Sequence, residues 1–187
     1  MPYQQPYAMP QAIRYLTAGH QVQLADLLWL RFLHISDFCE NNKTHLACTQ
    51  KSVIFQNLDL ATNLDPTFQA GIYRIGGLTL SVLMEDRAGA TLFFDKGLKQ
   101  YPNYWPLLYS AAYHAQFEEK DFDRASQLYA RAAQNGAPNW VSVLAGRLAL
   151  DVGKSEFAER VLQTMIDSNQ DENLINRLKE KMKTLTK

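Results

Sequence analysis

A recurrence of residue types every 35 or 36 positions constrains the fold of this chain more than any other feature. Proline recurs at intervals of 36 residues and a small residue at intervals of 35, in the series Pro66, Pro102, Pro138 and the series Gly76, Ala111, Gly146. A third series repeats small, aromatic and small residues, as Ala90, Phe94, Gly97, then Ala125, Tyr129, Ala132, and more weakly Ala158, Leu162, Met165. Such a period is typical of stacked helical hairpins.

The residue types in these series have a physical reason. Two helices of one hairpin can approach closely only where small side chains lie at their crossing, and we expect the glycine and alanine series to serve this purpose. The aromatic or leucine side chains then fill the space one turn further along. Each proline follows a second helix and cannot continue it, so the chain turns into the next hairpin.

The composition predicts a soluble globular chain. Of its 187 residues, 47% are hydrophobic and 20% are charged, which excludes an intrinsically disordered chain. Lysine plus arginine equals aspartate plus glutamate at 19 each, so no global field attracts nucleic acid or an anionic membrane. No stretch is long and apolar enough to insert into a bilayer. We expect a cytoplasmic protein, or a membrane-anchored or periplasmic one if a targeting or anchoring segment precedes Met1.

The pattern divides the chain into an arm, four repeats and a final helix. Residues 1–20 are rich in Pro and Tyr and predict an extended arm with a short helical piece at 11–18, although a disordered leader also fits. Residues 171–187 predict an amphipathic helix that caps the last repeat, with a basic membrane-touching helix as the alternative. The repeats are predicted at about 21–66 in degenerate form, 67–102, 103–138 and 139–168.

Two helices are predicted inside the degenerate repeat. The first runs from Gln21 to about Phe38 and is apolar on most sides, which predicts that it is buried. A polar loop at 40–44 follows. The second helix runs from about 49 to 63 and ends at the sequence Asp-Pro.

These series resemble the tetratricopeptide repeat (TPR), a helix–turn–helix of about 34 residues with small residues at set places and proline near its end. With Gly76 or Ala111 at the eighth place, the later series match if the turn between the two helices is two residues longer than standard. With Gly146 at that place they match without insertion. The resemblance covers about residues 24–168. It implies an all-α, TPR-like superhelical solenoid of stacked antiparallel helical hairpins with a C-terminal capping helix.

A narrower resemblance concerns the runs LADLLWLR (24–31) and LDPTF (64–68). They are similar to one group of bacterial TPR proteins, whose members often carry a membrane helix ahead of the repeats. This resemblance implies a client in a bacterial motility, pilus or cell-polarity system, including a Ras-like GTPase.

The TPR resemblance also implies a binding surface, because the first helices of such repeats line a concave face. The partner-binding residues that it implies are Tyr73, Arg74, Trp105, Leu108, Tyr109, Ala112, Tyr113, Gln116, Trp140, Val143 and Arg147. Aromatic groups with two arginines suit a peptide segment, a helix or a small GTPase that presents apolar and acidic groups. The two tryptophans begin their helices, and sealing of neighbouring repeats is an alternative role for both.

The chain presents no recognisable catalytic or metal site. His34, Cys39, His45 and Cys48 have the spacing H-x₄-C-x₅-H-x₂-C, which lacks the C-x₂₋₄-C knuckle of structural zinc sites. The two cysteines are either reduced thiols of a cytoplasmic protein or a disulfide in an oxidising compartment. No G-x-S-x-G, H-E-x-x-H or Walker sequence occurs. We therefore predict neither a cofactor nor a metal.

The sequence thus predicts a non-enzymatic protein–protein interaction adaptor, with its oligomeric state left open. A membrane-tethered or periplasmic assembly factor is the alternative, and a metal-dependent enzyme that uses the His/Cys cluster is a remote one.

Overall fold

The structure is a computed structural model, and it describes residues 7–42, 44–45, 48 and 52–185. Over this part of the chain the fold is all-α and contains no β-strand. The chain forms two compact units, unit 1 (Met1–Gln100) and unit 2 (Tyr101–Lys187). The α-helices of the described residues are α1 (Gln21–Asn41), α2 (Val53–Leu64), α3 (Ala70–Leu78), α4 (Arg87–Gln100), α5 (Trp105–His114), α6 (Phe122–Gln134), α7 (Trp140–Asp151), α8 (Ser155–Asp167) and α9 (Glu172–Leu185).

The described part of the N-terminal arm packs on the first two helices of unit 1. The guanidinium of Arg31 donates to the carbonyl of Tyr7 at 2.6 Å and lies 4.0 Å from the centroid of its ring. A 3₁₀ helix follows at Gln11–Tyr15, and the side chains of Met9 and Ile13 pack against the apolar core of α1 and α2. The predicted helical piece is therefore shorter and 3₁₀, and the first six residues of the arm lie outside the described residues.

Helix α1 is buried on one face and exposed on the other. Its buried face packs on α2, in a core formed by Ala25, Leu28, Leu60, Ala61 and Leu64. On the opposite face Leu27, Leu30 and Leu33 are 61%, 54% and 48% exposed. The expectation that α1 is buried on most sides is wrong, because α2 covers a single face of it. No helix among the described residues is both long and apolar enough to cross a membrane.

A disulfide joins the end of α1 to the segment ahead of α2. Cys39 and Cys48 are both buried, and their Cα atoms are 5.5 Å apart. Of the two states that the sequence left open, the structure has the bonded one. Ser52 then caps α2, because its hydroxyl oxygen accepts the backbone N–H of Phe55 at 3.1 Å.

Helices α3 and α4 form an antiparallel hairpin that closes through small residues. A Cβ added to Gly77 would lie 2.5 Å from the ring of Phe94, and one added to Gly97 would lie 2.7 Å from the Cβ of Tyr73. Residues later in α3 therefore contact residues earlier in α4, as antiparallel packing requires. Gly76 has the same role, since its added Cβ would meet the ring of Phe93 at 2.7 Å. The predicted use of small residues at the helix crossing is confirmed in this hairpin.

Helices α3 and α5 both continue into a five-residue π-helical turn, at Thr79–Leu83 and Ala115–Glu119. In each case a residue in the left-handed region follows, Glu85 (φ 54°) and Lys120 (φ 59°), and the next residue is an aspartate whose carboxylate caps the second helix. The left-handed residue and the capping aspartate recur after 35 residues, and the π turn recurs after 36.

Unit 2 consists of two hairpins and a final helix. Helix α6 packs against α5 and α7, and α7 in turn packs against α8 and α9. Helix α7 ends at Asp151 without a π turn, and Gly153 (φ 76°) follows in the left-handed region. Helix α9 contacts α7 closely, since a Cβ added to Gly146 would lie 2.7 Å from the side chain of Leu178. The small residue at this position therefore makes room for α9 rather than for its own hairpin partner.

Candidate partner-binding surface

A row of aromatic side chains lies along α5, the π turn that follows it and the start of α7 in unit 2. Tyr109, Tyr113 and Phe117 follow one another at intervals of four residues, and the rings of Tyr113 and Phe117 have centroids 4.5 Å apart. The ring of Trp140 meets that of Tyr109 edge-on, at 5.7 Å and 84°. We call these four residues the aromatic stripe. Phe117 is 44% exposed and Trp140 47%, so the stripe ends in accessible aromatic surface on both helices.

A buried tyrosine supports the stripe from α6. The ring of Tyr129 meets that of Tyr109 at 5.3 Å and 60°, and its hydroxyl donates to the side-chain oxygen of Gln116 at 3.1 Å. Burial raises the pKa of Tyr129 well above its ordinary value, and the neighbouring phenols of Tyr109 and Tyr113 raise it further. The phenol therefore remains a protonated donor at physiological pH and holds Gln116 in place beside the stripe.

Arg147 lies on the same side of α7 as the exposed Trp140. Arg147 is exposed and follows Trp140 by seven residues, which is close to two helical turns. An aromatic surface with a guanidinium beside it can bind apolar groups together with a carboxylate. This combination of one apolar and one acidic contact is what the sequence predicted for a partner.

Four of the predicted binding residues have no surface to offer a partner. Tyr73, Leu108, Ala112 and Val143 are 1%, 0%, 0% and 7% exposed. Tyr73, Leu108 and Ala112 each adjoin a more exposed residue, and adjacent residues of an α-helix face directions about 100° apart. Their predicted contact with a partner is therefore incompatible with their burial.

The remaining predicted residues are accessible to different degrees. Trp105 is half-buried, and its indole lies 3.9 Å from where a Cβ of Gly136 would be, beside the turn between α6 and α7. This location favours the sealing role for Trp105, whereas Trp140 is exposed. Arg74 is exposed on α3, but it belongs to unit 1 and the aromatic stripe to unit 2.

Sequence reasoning missed one member of the stripe. Phe117 lies beyond the places that line the concave face in TPR geometry, so the resemblance did not select it. The spacing of four residues that links it to Tyr109 and Tyr113 was visible in the sequence, and a search for a continuing helical face would have found it.

The cluster of His34, Cys39, His45 and Cys48 does not present the thiolates that a zinc site of this kind requires. Both sulfurs are consumed in the Cys39–Cys48 disulfide and are not thiolate ligands in this state. The ring of His45 instead meets that of Phe38 edge-on at 5.4 Å. Among the described residues, no group of three or more His, Cys, Asp or Glu side chains is arranged to hold a metal ion. The remote alternative of a metal-dependent enzyme needs thiolates that the disulfide does not provide.

No protein-family profile, curated protein or solved structure matches this chain. The resemblance to tetratricopeptide repeats therefore rests on the spacing of the chain's own residues.

Proposed function

We propose that this chain is a TPR-like helical solenoid and acts as a non-enzymatic adaptor that binds another protein through the aromatic stripe and Arg147. The recurrence of the π turn after 36 residues, and of the left-handed residue and the aspartate cap after 35, supports the repeat architecture. The partner presents a helix, or a peptide segment, with one apolar face and one carboxylate.

The observation that carries this proposal is the exposure of large aromatic rings on neighbouring helices. Phe117 and Trp140 leave nearly half of their surface uncovered, although each is in contact with another ring of the stripe. Buried aromatic anchors dominate the free energy of many protein interfaces, and their rings lose little conformational entropy on binding. Rings already held by neighbours are therefore suitable anchors.

The kind of client follows from the narrower sequence resemblance. A bacterial motility, pilus or polarity complex is the proposed setting, and a Ras-like GTPase is one proposed partner. A switch region of such a protein would bring the apolar and acidic groups that the stripe and Arg147 can receive.

Affinity capture from the source organism tests the adaptor. We expect wild-type protein to retain a specific partner that the double variant Phe117→Ala/Trp140→Ala loses, because truncation removes both exposed anchors. The matched control is Leu92→Ala, which truncates a side chain that is 57% exposed on α4. Equal recovery of every co-purifying protein by the double variant and by the control would reject the stripe as the binding surface.

A second candidate is favoured by the disulfide. A buried Cys39–Cys48 bond fits an oxidising compartment better than a reducing one, which supports a periplasmic or membrane-tethered assembly factor. Alkylation of the protein in acid-quenched cells, followed by mass measurement, separates the two candidates. Two blocked thiols support the cytoplasmic adaptor, and unmodified protein two hydrogens lighter supports the assembly factor.

A further inference from the structure

A groove runs between α6 and α8 in unit 2, and none of the predicted binding residues lies in it. It contains two cavities of about 530 and 590 Å³, which share Ala130, Gln134, Val161 and Thr164 as lining residues and so form one depression. Lining residues extend from Lys154, just before α8, to Ser168, just after it, a distance of about 20 Å at the rise of an α-helix. This length accommodates about six residues of extended polypeptide.

The two ends of the groove differ in chemistry. One end is wide, because the small residues Ala133, Gly136 and Ala137 line it. The same end carries amide and hydroxyl groups, which belong to Asn139, Ser142, Ser168 and Gln170. The side-chain oxygen of Gln170 is buried and accepts no hydrogen bond. Such an oxygen can accept a hydrogen bond from a ligand N–H after the side-chain amide rotates about its last torsion angle, which has a low barrier.

The other end has an excess of positive charge. Arg131, Lys154 and Arg160 line this cavity together with Asp123. Lys154 forms a salt bridge with Asp123, since its ammonium lies 2.6 Å from that carboxylate. The hydrogen bond from Lys154 is the main cause that lowers the pKa of the Asp123 carboxyl.

Within the part of the chain that the structure describes, neither arginine forms a salt bridge. Arg131 donates to the neutral carbonyl of Pro102 at 3.0 Å, and the guanidinium of Arg160 lies 5.6 Å from the ring centroid of Phe157. Glu156 adds one negative charge in an adjoining depression, which shares Arg160 with the cavity that the two arginines line. A carboxylate is the complementary group for this pair, because guanidinium–carboxylate contacts combine charge with directional hydrogen bonds.

The amide-rich end indicates the backbone form of the occupant. A helix has its backbone hydrogen bonds satisfied internally, so it has little use for a row of amide and hydroxyl groups. An extended segment has free N–H and C=O groups that such side chains can pair. Asp123 and Glu156 make the groove a poor surface for the continuous negative charge of a nucleic acid.

We infer that the α6–α8 groove binds an extended peptide segment of a partner protein, with an acidic side chain at Arg131 and Arg160 and its backbone along the amide-lined end. This site is separate from the aromatic stripe. The adaptor would therefore hold two different protein segments on one unit.

The experiment is a selection of random octapeptides displayed on phage against the full chain. We expect enriched peptides to be rich in Asp and Glu and to bind the variant Arg131→Glu/Arg160→Glu at least about 10-fold more weakly, which corresponds to the loss of one good charged contact. The variant Arg177→Glu/Lys179→Glu changes the net charge equally, on exposed positions of α9, and should bind as wild type does. A melting curve confirms that each variant is folded.

A second variant fills the groove without a change of charge. Thr164→Trp places an indole at a residue that lines both cavities, and we expect it to abolish peptide binding. Phe117→Ala should leave peptide binding intact, so failure of the groove and failure of the aromatic stripe give different results. The inference is overturned if no peptide is enriched, if enriched peptides lack acidic residues, or if they bind the Glu and Trp variants as tightly as wild type.

Discussion

Asp86 and Asp121 hold the same place in two turns 35 residues apart, yet they differ in burial. Asp86 is 2% exposed and accepts three hydrogen bonds, from the backbone N–H of Gly89 and from the N–H and hydroxyl of Ser52. It thereby ties the start of α4 to the start of α2. Asp121 is exposed and caps α6 through the N–H of Arg124 at 2.9 Å.

This difference predicts unequal costs for the same substitution. Asp86→Ala should lower the free energy of unfolding by about 2–3 kcal/mol, since it removes a cap and leaves buried donors of Ser52 without an acceptor. Asp121→Ala should cost about 1 kcal/mol, as for an ordinary exposed cap. Urea denaturation monitored by circular dichroism measures both values. Equal costs would show that the link to Ser52 contributes nothing.

Some of this residue-scale detail could be read from the sequence and some could not. The spacing identified Gly76 and Gly97 at the crossing of α3 and α4, because the residue type and the period are both visible in the chain. It could not separate Leu108 from Tyr109, since the side of α5 that is covered depends on α6. It could not distinguish Asp86 from Asp121 either, because Ser52, the partner that buries Asp86, is 34 positions away.

At the scale of the helix pair, α3 and α4 depend on the absence of one side chain. Gly97→Ala would bring a Cβ within 2.7 Å of the Cβ of Tyr73, which is attached directly to the backbone and cannot rotate away. We expect a net loss of about 1–2 kcal/mol, since the overlap exceeds the gain in helix propensity. The matched control is Gly71→Ala in α3, where nothing lies within 4 Å of the added Cβ. This control should be neutral or slightly stabilising, and destabilisation of both variants alike would contradict the packing argument.

The disulfide gives a second prediction at the same scale. Its two cysteines are nine positions apart, and closure of a loop of this size in the unfolded chain is worth about 2–3 kcal/mol. Denaturation of wild-type protein with reductant should therefore show a stability lower by about this amount than without it. The double variant Cys39→Ala/Cys48→Ala should be insensitive to reductant. A wild-type curve that reductant does not move would mean that the bond is absent in solution.

The π turns are a feature of the helix pairs that the sequence does not predict. The spacing of the residue series predicts a longer turn between the two helices of the first two hairpins, but not the form of that turn. The structure shows a π-helical turn directly after each of α3 and α5. Whether a helix end widens in this way depends on which backbone carbonyl accepts each N–H, and residue types alone do not determine it.

For the whole molecule, the helical content and the sequence of helices follow from periodicity, whereas the binding surface does not. The described residues form an all-α fold, as the repeat spacing predicts. The TPR resemblance named a set of eleven residues, of which Tyr73, Leu108, Ala112 and Val143 are buried and the other seven have accessible surface in the structure. Accessibility depends on how neighbouring helices pack, so a resemblance in the first helices could not supply it.

Photo-crosslinking in living cells tests the central claim most directly, because it reports a contact at a chosen residue. A photoreactive phenylalanine analogue replaces Phe117, Arg147 or Glu159 in turn. Glu159 is exposed on α8, outside both the aromatic stripe and the residues that line the α6–α8 groove. The adaptor predicts one discrete protein adduct from positions 117 and 147 and none from position 159. No adduct at either stripe position, or the same adducts at all three, would contradict it.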